Sequence, residues 1–334
     1  MVAAAASEAT AERVLLLERF EADPEAAGFL TAVELGRRHS NATTTPTPVT
    51  TNWPTLSEIG AEATIRYLAA MHAAFWQGAD PAATNGNGAG DLVEPAGADP
   101  LSPLAAVAAL AGFWHASVAV NEGPMSAHHW AHVRERLAAR HDRTAQGPSL
   151  DAVLAMAPGA MAVLDVVGDA SAFESIARVI AARFPLSLTH RDVHVANVLA
   201  RPGEGATPDL CVVDWTIAKV DCSLFDLAYL LAFSVEIETR RRHEDAWLAV
   251  YADTLVDHGV DRASVPLSAI REWMEASAVQ AALFPIMMAS LSLQGSLPEA
   301  PDSFWVSGLC TRRWNAVVAD WDLERRAHAL ASAR

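Results

Sequence analysis

The feature that most restricts the fold is a set of polar residues inside an apolar frame. It runs Thr189-His190-Arg191-Asp192-Val193-His194-Val195-Ala196-Asn197-Val198-Leu199 and continues at Leu210-Cys211-Val212-Val213-Asp214-Trp215. Ionisable groups are costly to bury unless they are paired or hold a ligand, so a run of this kind marks a site. Its two apolar runs, 197–200 and 210–213, are joined by a loop rich in Gly and Pro, which predicts a β-hairpin. Antiparallel pairing sets Asn197, at the start of the first strand, beside Asp214, at the end of the second, with neighbouring strands ~4.8 Å apart. An amide oxygen and a carboxylate at that spacing can share a hard cation. Magnesium fits best, because it takes one or two protein oxygens and leaves its other positions to water and phosphates. Asp192, five residues before Asn197 in a tight loop, faces the same space and is placed to accept a proton.

The chain that carries this site has 334 residues, 51% of them hydrophobic and 19% charged, enough for one large domain or two of roughly 150 residues. Most of it reads as helix. Residues 13–20 form a short apolar run that suits a buried strand or a helix equally. Residues 40–54 read as an extended loop and 80–103, rich in Gly, Pro and Asn, as a flexible excursion. Between them Ser57 caps a helix that repeats apolar residues at Ile59, Ala63, Leu68, Met71 and Phe75. Further helices are expected over 104–120, 126–141, 150–156 and 170–184, the last with Phe173, Ile176, Ala177 and Ile180 on one face. After the hairpin the reading is helical over 226–233, 241–258, 267–292 and 304–333, with breaks at Gly259, Pro266 and 295–301.

Composition narrows the function classes. A formal net charge of -16 works against nucleic acid or an anionic membrane as a partner. The three cysteines, Cys211, Cys222 and Cys310, have neither disulfide-framework nor zinc spacing, which suits a reducing cytoplasm. His190 and His194 are four apart, but the residues between them lack the glutamate of a zinc-protease helix. No basic region precedes the apolar N-terminus, so a signal peptide is not expected. The longest apolar run, 279–293, is shorter than the ~18 residues of a membrane span and contains Gln280 and Pro285, so it reads as a buried helix.

The pattern His-x-Asp-x-x-x-x-Asn, a hairpin, Asp-Trp and then Asp226-Leu227-Ala228-Tyr229 resembles the catalytic segment of the aminoglycoside phosphotransferase and choline kinase-like family, relatives of the protein kinases. Weaker similarities lie in 14–18, like the strand that enters that family's adenine-contacting hinge, and in 67–76, like its helix carrying Leu-Ala-x-x-His. The resemblance implies an α+β, mainly helical fold: the kinase-like C-terminal lobe with a small antiparallel β-hairpin at the catalytic loop. It implies transfer of the γ-phosphate of ATP, with Mg2+, to a hydroxyl of a small molecule. Asp192 would be the catalytic base, Asn197 and Asp214 the metal ligands, and Asp226 the brace of the catalytic loop. His190 would hold the loop backbone, and Leu17, Glu18 and Phe20 would contact the nucleotide.

The chain departs from that family in its first half. Residues 1–20 would be a remnant of the nucleotide-covering lobe and 21–334 the C-terminal lobe. The phosphate-pairing lysine has no counterpart, since the chain's one lysine is Lys219, and no glycine-rich phosphate loop is present. The alternative expectation is therefore a noncatalytic pseudokinase, or a truncated fragment, that binds a nucleotide, a metal or a protein partner. Lys219 itself reads as solvent-exposed, Asp226 also as a helix N-cap, and His72 as a packing residue. Trp114, Trp130, Trp273, Trp305 and Trp314 read mostly as core, although some of them would suit a cationic acceptor.

Overall fold

A computed structural model describes residues 30–31, 55–76, 115–139, 148–201, 209–296 and 308–333. The expected hinge residues Leu17, Glu18 and Phe20, the 40–54 loop, the 80–103 excursion, Trp114 and Trp305 lie outside the described residues.

Helix α1 (Glu58–Ala74) starts where the sequence predicts, with the Ser57 hydroxyl accepting from the Gly60 N–H at 3.1 Å. Helix α2 (His115–Ala138) joins two predicted segments into one, passing through Pro124. Gly123 within it serves a close approach. A Cβ on Gly123 would stand 3.2 Å from the Ala170 carbonyl oxygen. Helices α3 (Pro148–Leu154), α4 (Pro158–Val167) and α5 (Ala170–Arg183) follow. Helix α4 was not expected; it starts at Pro158, and proline at the first helical position starts a helix readily. On α5 the predicted face of Phe173, Ile176, Ala177 and Ile180 is buried.

Two small antiparallel arrangements flank the site. Strands β3 (Val198–Arg201) and β4 (Asp209–Val212) form the predicted hairpin, with Val198 opposite Val212, and β1 (Leu30–Thr31) pairs with β3 on its other edge. Strand β2 (Leu186–Thr189) pairs with β5 (Lys219–Cys222), so that Ser187 faces Asp221 and Thr189 faces Lys219. This second pair was not predicted. Charged and hydroxyl residues in four-residue strands hide the strand pattern, and the partners lie some thirty positions apart.

The remaining helices build the core. Helix α6 (Leu224–Phe233) is buried at all ten positions, apolar on every side except at Asp226 and Tyr229, and other helices enclose it. Helix α7 (Ile237–Asp257) packs on α1, α8 (Leu267–Gln280) packs on α6, and α9 (Leu283–Leu293) packs on α2. One helix was expected over 267–292, but the chain breaks at Ala281-Ala282. Pro285 sits in the first turn of α9, where its missing N–H is tolerated, and could not have continued α8 without loss. The span Leu267–Leu293 is long and apolar enough by composition to cross a bilayer, yet 67% of that window is buried inside the protein, as in a core helix. The last predicted helix likewise splits, into α10 (Leu309–Asp320) and α11 (Leu323–Ser332), at Asp322 with φ 51°.

Candidate active site

The loop between β2 and β3 holds most of the polar residues singled out from the sequence. Its fixed point is Asp226, fully buried in the first turn of α6. Its two carboxylate oxygens accept from consecutive backbone N–H groups, Oδ2 from His190 at 2.7 Å and Oδ1 from Arg191 at 2.8 Å. The expectation that Asp226 caps its own helix is corrected: Ser223 is the cap residue, and the Asp226 carboxylate is turned to the loop. His72 of α1 reaches the same carboxylate, Nε2 lying 3.2 Å from Oδ2, while Nδ1 lies 2.7 Å from the Tyr251 hydroxyl. A neutral ring with its proton on Nε2 satisfies both contacts, donating to Asp226 and accepting from Tyr251.

His190 is buried, and its ring closes the loop onto the hairpin. Nδ1 accepts from the Asp192 N–H at 3.3 Å, which leaves the ring proton on Nε2 to donate to the Val213 carbonyl at 2.9 Å. Burial outweighs the attraction of Asp226, the Val213 hydrogen bond and the Asp192 and Asp214 charges, so the imidazole pKa lies below its ordinary value and the ring is neutral. Trp215 packs edge-on against it, ring centres 4.5 Å apart.

Arg191 takes φ 71°, a left-handed conformation unusual for a residue with a Cβ. The cost is offset by its buried side chain. One nitrogen donates to Asp221 at 2.5 Å, another to Glu122 at 2.6 Å, and the guanidinium lies 3.7 Å over the Phe225 ring. Burial works against the charge, but Glu122, Asp221 and Asp226 outweigh it and raise the arginine's pKa. Glu122 also accepts from Lys219. The expectation of a solvent-exposed Lys219 is therefore corrected: its side chain is 14% exposed and ion-paired, because β5 carries it into this cluster.

Asp192 is next in the chain. Tyr229 Oη donates to its Oδ1 at 3.0 Å, and its Oδ2 faces His194 Nε2 at 3.6 Å and Asn197 Nδ2 at 3.4 Å. Burial pushes the Asp192 carboxyl up, but the His194 contact, the Tyr229 hydrogen bond and the nearby His190 outweigh it and hold the group below the usual carboxylate range. Asn197 sits in a short 3-10 turn, Val195–Asn197, and its Nδ2 donates to the Asp192 carbonyl at 2.9 Å. With the amide nitrogen committed there, the amide oxygen is the atom left for a ligand.

The hairpin register then decides where Asp214 falls. The Val213 N–H donates to the Asn197 carbonyl at 2.9 Å, so Asn197 is level with Val213 and Asp214 is the next residue, slightly past the position expected from the sequence. Asp214 has φ 64°, a conformation aspartate tolerates, and its Oδ1 accepts from Thr216 Oγ1 at 2.6 Å. An amide oxygen and a carboxylate are hard donors that fit magnesium with its remaining positions given to water or phosphate. Among the described residues no group of three or more His, Cys, Asp or Glu forms a self-sufficient metal cage. Tyr229, Glu122 and Asp221 were not found from the sequence. For Tyr229 a signal existed, since it stands three residues after Asp226 and so shares its helix face.

Residues 173–261 match the model of the ecdysteroid kinase-like family, one of the protein kinase-like families. The matched stretch contains most of α5, the loop, the hairpin, α6 and α7, and with them Asp192, Asn197, Asp214 and Asp226. The family matched differs from the aminoglycoside phosphotransferase and choline kinase-like one that the motif resembles, and the two share the kinase-like fold. No curated protein and no solved structure matches the chain. The mostly helical architecture with small antiparallel strand pairs is that of a kinase-like C-terminal lobe.

Proposed function

We propose that the chain is a small-molecule kinase that moves the γ-phosphate of ATP, with Mg2+, to a hydroxyl of its acceptor. One observation carries this reading. Asp226 pins the loop backbone and the Asn197 amide donates to the Asp192 carbonyl, so that Asp192 and Asn197 are held against each other, with Asp214 delivered beside them by the hairpin. Phosphoryl transfer needs little covalent chemistry from a protein, and a base, two oxygen donors and rigid placement supply most of what it does need. Asn197 and Asp214 would hold the magnesium ion, which when bound neutralises charge on the phosphates. Asp192 would orient the acceptor hydroxyl and take its proton. His190, neutral and bonded to Val213, fixes the loop to the hairpin.

The acceptor is read only as a hydroxyl compound. A cationic one suits the acidic surface, whereas polyanions such as nucleic acid do not. The family description adds steroid-like alcohols to the candidates. The second reading is a cleft that binds a nucleotide or partner without turnover. Incubation with MgATP and a panel of amino alcohols, aminoglycosides and steroid alcohols separates the two. Turnover in the wild type that Asp192→Asn removes is expected, and equal background in both proteins would sink the kinase reading.

A further inference from the structure

Helix α6 touches the loop at three levels. Asp226 in its first turn binds the N–H groups of residues 190 and 191. Tyr229, one turn on, reaches the Asp192 carboxylate, and Ser234 at the end of the helix accepts from the Val195 N–H at 3.1 Å. Two of these contacts hold backbone, and the one from Tyr229 holds the side chain that would react. Its ring has no freedom to withdraw. Phe225 stacks along it at 5.9 Å between ring centres, Phe233 and Phe284 meet it edge-on at 5.2 and 5.4 Å, and the residue is 3% exposed.

Resting on the kinase reading, we propose that Tyr229 is a positioning residue that fixes which oxygen of Asp192 works as the base. With Oδ1 tied to the Tyr229 hydroxyl, Oδ2 is the oxygen left to meet the acceptor, since its contacts to His194 and Asn197 are long enough to yield. The acceptor O–H proton passes to Oδ2 while the acceptor oxygen forms a bond to the γ-phosphorus and the bond from that phosphorus to ADP breaks. Burial and the adjacent Asp192 charge raise the Tyr229 phenol pKa, so the phenol remains a donor throughout. Orientation of this kind acts on the chemical step rather than on nucleotide affinity.

Tyr229→Phe removes one oxygen and keeps the ring. Losing a hydrogen bond to a charged group lowers kcat by about ten- to a hundredfold. The KM for MgATP stays within about twofold, because the interaction is one the nucleotide does not share. A Tyr229→Phe enzyme with wild-type kcat, or one whose KM for MgATP rises in step with the loss of kcat, overturns the role of Tyr229 and leaves the kinase reading standing. Absence of Asp192-dependent turnover in the wild type brings down both. If Tyr229→Phe does not fold, 4-fluorophenylalanine placed at position 229 fills the same volume without a donor and is expected to show the same loss, with wild-type kcat again overturning the role.

Discussion

At the residue scale the site is a case of buried charges that are tolerated because each has partners. Arg191 and Lys219 share Glu122, and Arg191 also meets Asp221, with the Arg191, Glu122 and Asp221 side chains all less than 9% exposed. Removing one member of such a group leaves the others charged and uncompensated, at a cost of about 3 to 5 kcal/mol. Glu122→Ala is therefore expected to lower stability by that amount in urea unfolding. Glu122→Gln, which still accepts hydrogen bonds, should lose less, and a Glu122→Ala protein as stable as wild type would show that the cluster adds nothing. That Asp192, Asn197 and Asp214 share one loop and hairpin was legible because residue type and spacing are properties of the sequence. The cluster around Arg191 was not, since Glu122 is sixty-nine residues away and only the packing of α2 brings it in.

At the element scale, helix ends were read better than helix interiors. Ser57 announces α1 because capping is local chemistry. The breaks within the helices expected over 267–292 and 304–333 were missed because apolar periodicity continues across them. Gly168 shows a tertiary constraint of a kind no local rule contains. It caps α4 with an ordinary φ of -76°, so alanine there should favour folding by restricting the unfolded chain. The space for a Cβ is taken by the Trp130 ring, whose Nε1 donates to Asp165 at 3.0 Å. Gly168→Ala is expected to destabilise the protein by about 1 to 3 kcal/mol, the usual range for overpacking, and a gain in melting temperature would contradict it.

At the scale of the whole molecule, every tyrosine and every cysteine of the chain is placed so that its neutral form is favoured. Burial pushes the Tyr67 phenol up to about 12 and raises Tyr229 and Tyr251 well above 10.0. It also pushes the Cys211 thiol to about 11 and the Cys222 thiol to about 12, and raises Cys310 too. These acids hold their protons in the folded state at pH values where the unfolded chain has lost them. Their stabilisation is thus complete below the ordinary thiol value of 9.0 and is lost as pH rises toward 12. Absorbance at 295 nm is expected to stay flat through pH 10 and to rise in one step with alkaline unfolding. A tyrosine that titrates near 10 in the folded protein would overturn this.

The sequence alone determined the polar loop over 189–199, the hairpin that joins Asn197 to Asp214, and a mainly helical chain, because each follows from spacing, turn residues or periodicity within a short window. Tertiary structure decided what holds that loop. The β2–β5 pair, the Glu122 partnership of Arg191 and Lys219, the bond from Tyr229 to Asp192, and the turning of Asp226 away from its own helix all join residues distant in sequence. Hydrogen bonds and ion pairs act over about 3 Å, and only packing brings such residues that close.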